Sequence, residues 1–304
     1  MFMIENSLFD NPALELAVKV GAGLAAAQLL LGAVLASPIA SPIARREPAF
    51  VAHQLVTLPL MIYVSYLGCA GWFFPDEEAQ ELAATVEGRL YGRDPVGEKL
   101  SAIVLGAMVF WDIWATLLPS IYSAAGMGHH VGLAILAAIC LMPYLQHYAP
   151  FFVGVIEISS VPLVIVDLFH PKHFAYVAAS HPFLSAINEA MRLVFALSFL
   201  VLRTVYFPVV IFTQAIPDLA TQLHFGPDAD APKTALAASG ISFALLFTGL
   251  QLHWSWLLIR QVLKGLTKES DESSKGEVDL ERYNLHVDED DAERSRMLHP
   301  KTAL

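Results

Sequence analysis

Residues 126–168 read "GMGHHVGLAILAAICLMPYLQHYAPFFVGVIEISSVPLVIVDL". Two carboxylates, Glu157 and Asp167, are the only acidic groups in this stretch, and it holds no lysine or arginine. An apolar run of about 18 residues is long enough to cross a bilayer as a helix. This stretch provides two, at about 129–146 and 149–169, joined so tightly that they form a helical hairpin. His129 and His130 stand at its start. Ionisable groups inside a membrane segment are expensive to hold there, so by default they mark a functional site.

The same pattern extends outward in both directions. Comparable runs lie near 13–36, 50–74, 100–123, 186–214 and 234–260, which brings the expected number of spans to seven. Each must be a helix, because a backbone facing lipid has no other way to satisfy its polar groups. The whole composition agrees. The 304 residues are 56% hydrophobic and 15% charged, and the mean hydropathy is +0.54. Soluble domains carry about 25% charged residues. The expected fold is therefore all-α and polytopic.

Between the spans the chain is polar. Residues 75–99 and 215–233 read as loops, the first acidic and punctuated by Gly and Pro. From residue 267 the sequence is too poor in apolar side chains to offset the entropy of ordering, so a disordered acidic tail is expected over 267–304. Much of the net charge of −11 falls in this tail and the 75–99 loop. That acidity gives no sign of a nucleic-acid partner. Arg45, Arg46, Lys172, Arg260, Lys264 and Lys268 flank spans on one side, which predicts a cytosolic C-terminus and an N-terminus on the far side. Arg89, Arg93 and Lys99 fall on the wrong side for that rule. Glu5, Asp10 and Lys19 argue against a cleaved signal peptide in the first run.

Several polar side chains interrupt the apolar runs. Asp112 lies in the third run, Glu157 and Ser159 in the fifth. Asn188, Arg192 and Arg203 lie in the sixth, and Gln251 and His253 near the end of the seventh. Arg192 and Arg203 are eleven residues apart, which in an ideal α-helix returns to within roughly 20° of the same face. The sixth run is therefore expected to turn Asn188, Arg192 and Arg203 inward, toward Asp112 or Glu157. His253 fits an interfacial belt with Trp254 and Trp256. His53, His147, His170, His173 and His181 lie near span ends or in loops and read as interfacial polar groups. The "HPKH" at 170–173 has the H-x-x-H spacing of a membrane di-iron box, but the further paired histidines are missing. No metal and no cofactor are expected. Cys69 and Cys140 read as buried small hydrophobes.

The His129–His130 pair points in two directions, because adjacent helical residues diverge by about 100°. One imidazole can act while its neighbour orients it or faces another helix. A neutral imidazole can take a proton from a hydroxyl or an amine, as acyl transfer requires.

Six pieces in order carry a family resemblance: "VAHQLVTLPLMIY" at 51–63, "GAMVFWDIW" at 106–114, "GHHVGLA" at 128–134, "EISSVPL" at 157–163, "LVFALSFLVLRTVYFP" at 193–208 and "LQLHWSWLLIRQVLKGL" at 250–266. With these, residues 48–265 resemble the TLC-domain proteins, which include the ceramide synthases and the translocating-chain-associated membrane proteins. The resemblance implies a domain over 48–266, with residues 1–47 carrying a first helix outside it. Six domain helices then close around a lipid cavity. It also implies an endoplasmic reticulum membrane and a role in lipid homeostasis, with membrane lipids as partners. His129 and His130 would face a cavity shared with the third and fifth runs. Asp112, Glu157, Ser159, Asn188, Arg192 and Arg203 would bind lipid or acyl-CoA. In the synthases such a histidine pair is needed for N-acylation by acyl-CoA. They also carry an "HD…D" signature where this chain reads "EISSVPLVIVD", so the chain resembles the non-synthase branch more closely. The alternative to a lipid binder is an acyl-CoA-dependent N-acyltransferase using the histidine pair as catalytic groups.

Overall fold

The computed structural model describes residues 11–223 and 230–273, with side chains described as far as residue 264. Among these residues every regular element is helical. Six helical runs are long and apolar enough to cross a membrane: α1 (Pro12–Ala36), α2 (Pro48–Phe73), α6 (Ala124–Leu141), α7 (Gln146–Leu168), α9 (Pro182–Ala220) and the Ala231–Lys264 part of α10 (Ala231–Ser273). The chain is a multi-pass membrane protein. The third expected span is helix as well. Here α5 (Pro95–Ala107) runs on through a π-helical turn, Met108–Asp112, to Ile113–Ala115. It carries the charged residues Glu98, Lys99 and Asp112.

Sequence dictates where these helices start. Pro stands in the first turn of α1, α2, α5 and α9, where its missing N–H costs nothing. Asn11 caps α1 and Asp94 caps α5, each accepting from a backbone N–H of the first turn at 2.9 Å. Ser123 caps α6 by accepting from Gly126 N at 2.9 Å. The "GMG" at 126–128, which precedes the expected start of this span at about 129, lies within the helix.

Residues 75–99 are not a loop. Asp76 and Thr85 cap two short helices, α3 (Glu77–Ala83) and α4 (Val86–Tyr91), and α5 begins at Pro95. Arg89 on α4 makes a bidentate pair with Asp218 near the end of α9, both contacts at 2.6 Å. Tyr148 also donates to Asp218. This hydrogen bonding holds the Arg89 proton well above the ordinary arginine value. Arg93 pairs with Glu98 at 2.9 Å. Two of the three cations that oppose the charge rule are thus occupied by local acids.

Small residues set the closest helix contacts. A Cβ at Gly106 would lie 2.1 Å from the carbonyl oxygen of Ala17, so α5 meets α1 through glycine. The buried face of α1 is the narrow stripe Ala13, Ala17 and Gly21. The connections after α1 and after α7 meet each other. There His173 Nδ1 lies 2.7 Å from Glu47 Oε2 and stacks on Phe50 at 3.7 Å. Arg46 lies over the ring of Tyr176, on the short helix α8 (Ala175–Ser180), at 5.1 Å.

The chain divides into two compact units at Ser255. In the second, α10 continues to Ser273, past the expected boundary of the disordered tail. Lys264, Lys268 and Glu269 are good helix formers, and extending an existing helix needs no new nucleus. The rest of the expected tail, residues 274–304, lies outside the described residues.

Candidate functional site

The intramembrane charges sit where the helices depart from α geometry. Asp112 ends the π turn of α5, and Arg203 lies within the π turn Leu200–Tyr206 of α9. Glu157 and Ser159 lie in the 3-10 turn Val155–Ser159 of α7. Such turns are frequent at functional sites, since they re-aim side chains and rearrange backbone hydrogen bonds.

Two charged groups result. In the first, Asp112 is buried between two imidazoles. His53 Nε2 donates to its Oδ1 at 2.9 Å, and His130 Nδ1 lies 2.5 Å from its Oδ2. The second contact has the distance of an ion pair without the alignment of a hydrogen bond. In the second group, Arg203 Nε donates to Ser159 Oγ at 2.8 Å, and its Nη2 reaches Glu157 Oε1 at 3.2 Å and Ser160 Oγ at 3.1 Å. Ser160 in turn donates to Glu157 Oε2 at 2.5 Å. His130 is within electrostatic reach of Glu157, and His129 of Arg203.

His129 turns the other way. Its ring meets Phe247 edge-on at 5.7 Å and Trp254 at 5.3 Å, both on α10. It lines an apolar cavity of about 60 Å³, several times the space one water needs. One stripe of α6 forms a wall with His129, Leu133, Leu136 and Cys140, and one stripe of α9 forms another with Phe207, Ile211, Ala215 and Leu219. The third comes from α10, with Leu236, Gly240, Phe243, Phe247 and Gln251, and the start of α7 closes the side. Each stripe repeats at the three- and four-residue spacing that keeps one helix face inward. The lining holds no Lys, Arg, Asp or Glu. Tyr148, at the α7 side, is paired with Asp218, and other polar members have no partner among the described residues. His129 Nδ1, both amide atoms of Gln251 and the Tyr144 hydroxyl are buried without a hydrogen-bond partner.

This geometry corrects the sequence reading at several points. The cavity is shared with the fifth, sixth and seventh runs, and the third run supplies Asp112 to His130 instead of a wall. Asp112, Glu157, Ser159 and Arg203 stand beside the cavity, Asp112 against His53 and His130, and Arg203 against Glu157 and Ser159. Arg192 is exposed and pairs with Glu189 at 3.1 Å on its own helix. The π turn after Phe199 is the reason. One extra residue in a turn swings the following face by roughly 100°, so Arg203 leaves the face that carries Arg192. Asn188 is half-buried, with Oδ1 unpaired and no part in either charged group. His53, read as interfacial, is a buried partner of Asp112. Among the described residues no group of three or more His, Cys, Asp or Glu side chains converges as metal ligands.

With this arrangement in place, comparison with known proteins decides the family. The TLC domain matches residues 50–260. The chain belongs to the TLC-domain family. It is thus a membrane protein of a family linked to lipid metabolism. In this TLC-domain protein α1 lies before the matched region, yet it packs on α2 and α5 within it. No curated protein and no solved structure matches the chain.

Proposed function

We propose that this protein acts in lipid homeostasis by holding one acyl chain in the cavity between α6, α9 and α10, with the polar end of the lipid at His129. One observation carries this reading. The wall is apolar along its length, and at its His129 end the buried Gln251 amide and His129 Nδ1 lack partners among the described residues. An unpaired buried polar group costs about 1–3 kcal/mol, a cost that a ligand's hydrogen bond removes. The cavity is narrow, so a chain enters by parting the side chains that line it. The departure from the synthase signature at "EISSVPLVIVD" supports the non-synthase branch. Native mass spectrometry of the protein purified in mild detergent tests the reading. A retained single-chain or two-chain lipid is expected. A protein that carries no lipid and takes none up contradicts it.

A second reading rests on the Asp112 contact. A carboxylate at Nδ1 leaves Nε2 of His130 as the basic nitrogen, the arrangement used by general bases. In that reading, an amine attacks the thioester carbonyl of acyl-CoA, the C–S bond breaks, and His130 passes the amine proton to the departing thiolate. Release of free thiol on incubation with acyl-CoA and an amphiphilic amine supports it. Release that persists unchanged in His130→Gln contradicts it.

The same proposal places the protein in the endoplasmic reticulum with its C-terminal tail in the cytosol. The charge distribution supports this orientation, because Arg89 and Arg93 are engaged by Asp218 and Glu98. Protease added to sealed microsomes is expected to remove an epitope placed after residue 280. Protection of that epitope overturns the orientation.

A further inference from the structure

Gln251 has no exposed surface, and among the described residues neither oxygen nor nitrogen of its side-chain amide has a partner. A buried carboxamide without hydrogen bonds is rare in a folded protein and calls for an explanation. Its position supplies one. Phe247, Gln251 and Trp254 share one face of α10, at the spacings that bring helical neighbours together. His129 packs against both Phe247 and Trp254, so the Gln251 amide sits one turn from each of its ring contacts. Both residues line the same cavity.

The chemistry of this end is specific. A carboxamide offers a donor and an acceptor side by side. Among the described residues no Lys or Arg lines the cavity, and the nearby Arg203 is committed to Glu157, Ser159 and Ser160. A phosphate or an ionised carboxylate would find no counter-charge there, and an unpaired buried charge is far costlier than a neutral dipole. The wall from Leu236 to Gln251 runs about 22 Å along the helix axis. That exceeds half of the ~30 Å hydrocarbon core, the depth that one leaflet's chains fill.

We infer that Gln251 is the headgroup-reading residue of this cavity, and that its ligand is a long-chain lipid with an uncharged head carrying both a donor and an acceptor. A primary amide, an alcohol and a protonated carboxyl group are of this class. This rests on the reading of the cavity as an acyl-chain site. The amide of Gln251 pairs with the head, and His129 completes the polar end.

The test uses the full-length protein in detergent and three probes matched in chain length: hexadecanamide, methyl palmitate and 1-palmitoyl lysophosphatidate. Native mass spectrometry reads the bound fraction. Hexadecanamide is expected to bind at least tenfold more tightly than the other two. In Gln251→Met, which keeps the shape and removes the amide, that preference is expected to fall to within about threefold, while methyl palmitate still binds. Thermal unfolding confirms that the variant is folded. Equal binding of all three probes, a preference for lysophosphatidate, or an unchanged preference in Gln251→Met overturns the role of Gln251 and leaves the acyl-chain site standing. Failure of every probe to bind the wild type overturns the acyl-chain site itself.

Discussion

His130 and His129 are neighbours in sequence and face two unlike regions. On the His130 side the buried charges are paired: Asp112 lies against His53 and His130, and Arg203 binds Glu157, Ser159 and Ser160. In the cavity that His129 faces, Gln251 near His129 and Tyr144 beyond the other end of α6 are buried neutral groups with no partner among the described residues. The difference separates fold from ligand site. A saturated polar cluster inside a bundle fixes the register of its helices. An unsaturated one waits for atoms that the chain does not supply.

Removing one member of the saturated side has the largest expected effect. Arg203→Ala leaves Glu157 buried and uncompensated, and breaking a buried pair in this way costs about 3–5 kcal/mol. Thermal unfolding in detergent is expected to show the protein severely destabilised, and Glu157→Gln added to Arg203→Ala is expected to restore part of the loss. A cost below about 1 kcal/mol would move Arg203 out of the structural class. His53→Ala comes next. It removes one donor from Asp112 and is expected to cost about 1–3 kcal/mol, read in the same assay.

The unsaturated side responds in the opposite sense. Gln251→Met removes two unpaired polar atoms, so lipid-free protein is expected to gain about 1 kcal/mol or stay level. A loss comparable to His53→Ala would show that Gln251 is satisfied in the fold and would erase the contrast. Arg192→Gln belongs to neither region. Its exposed pair with Glu189 is worth less than about 0.5 kcal/mol, so stability and lipid content are both expected to stay unchanged.

The contrast also marks how far the sequence could be read. Spans are legible because length and apolarity are local properties, and the helices lie where the apolar runs do. That Asp112, Glu157 and Arg203 turn inward is legible from the cost of a charge in lipid. Their partners are not. The π turns at Met108–Asp112 and Leu200–Tyr206 shift the face of whatever follows, and the residue spacing gives no notice of them. Arg192 was misplaced for that reason. His53 was missed because it stands near the start of α2, where an interfacial position is the ordinary expectation. The helices of 75–99 were hidden by their charge, although Asp76 and Thr85 are cap residues plain in the sequence. Gln251 was visible as a polar residue in the last span. Its lack of a partner is a tertiary fact.

The most direct test compares His129→Gln with His130→Gln, each purified at equal expression, by bound lipid per folded molecule and by unfolding temperature. The account predicts opposite phenotypes. His129→Gln loses at least five-fold in retained lipid with little change in stability. His130→Gln is destabilised through the loss of its contact with Asp112, and its folded fraction retains lipid at close to the wild-type level. Undiminished lipid in His129→Gln would contradict the account, because the imidazole facing the cavity would then be packing alone.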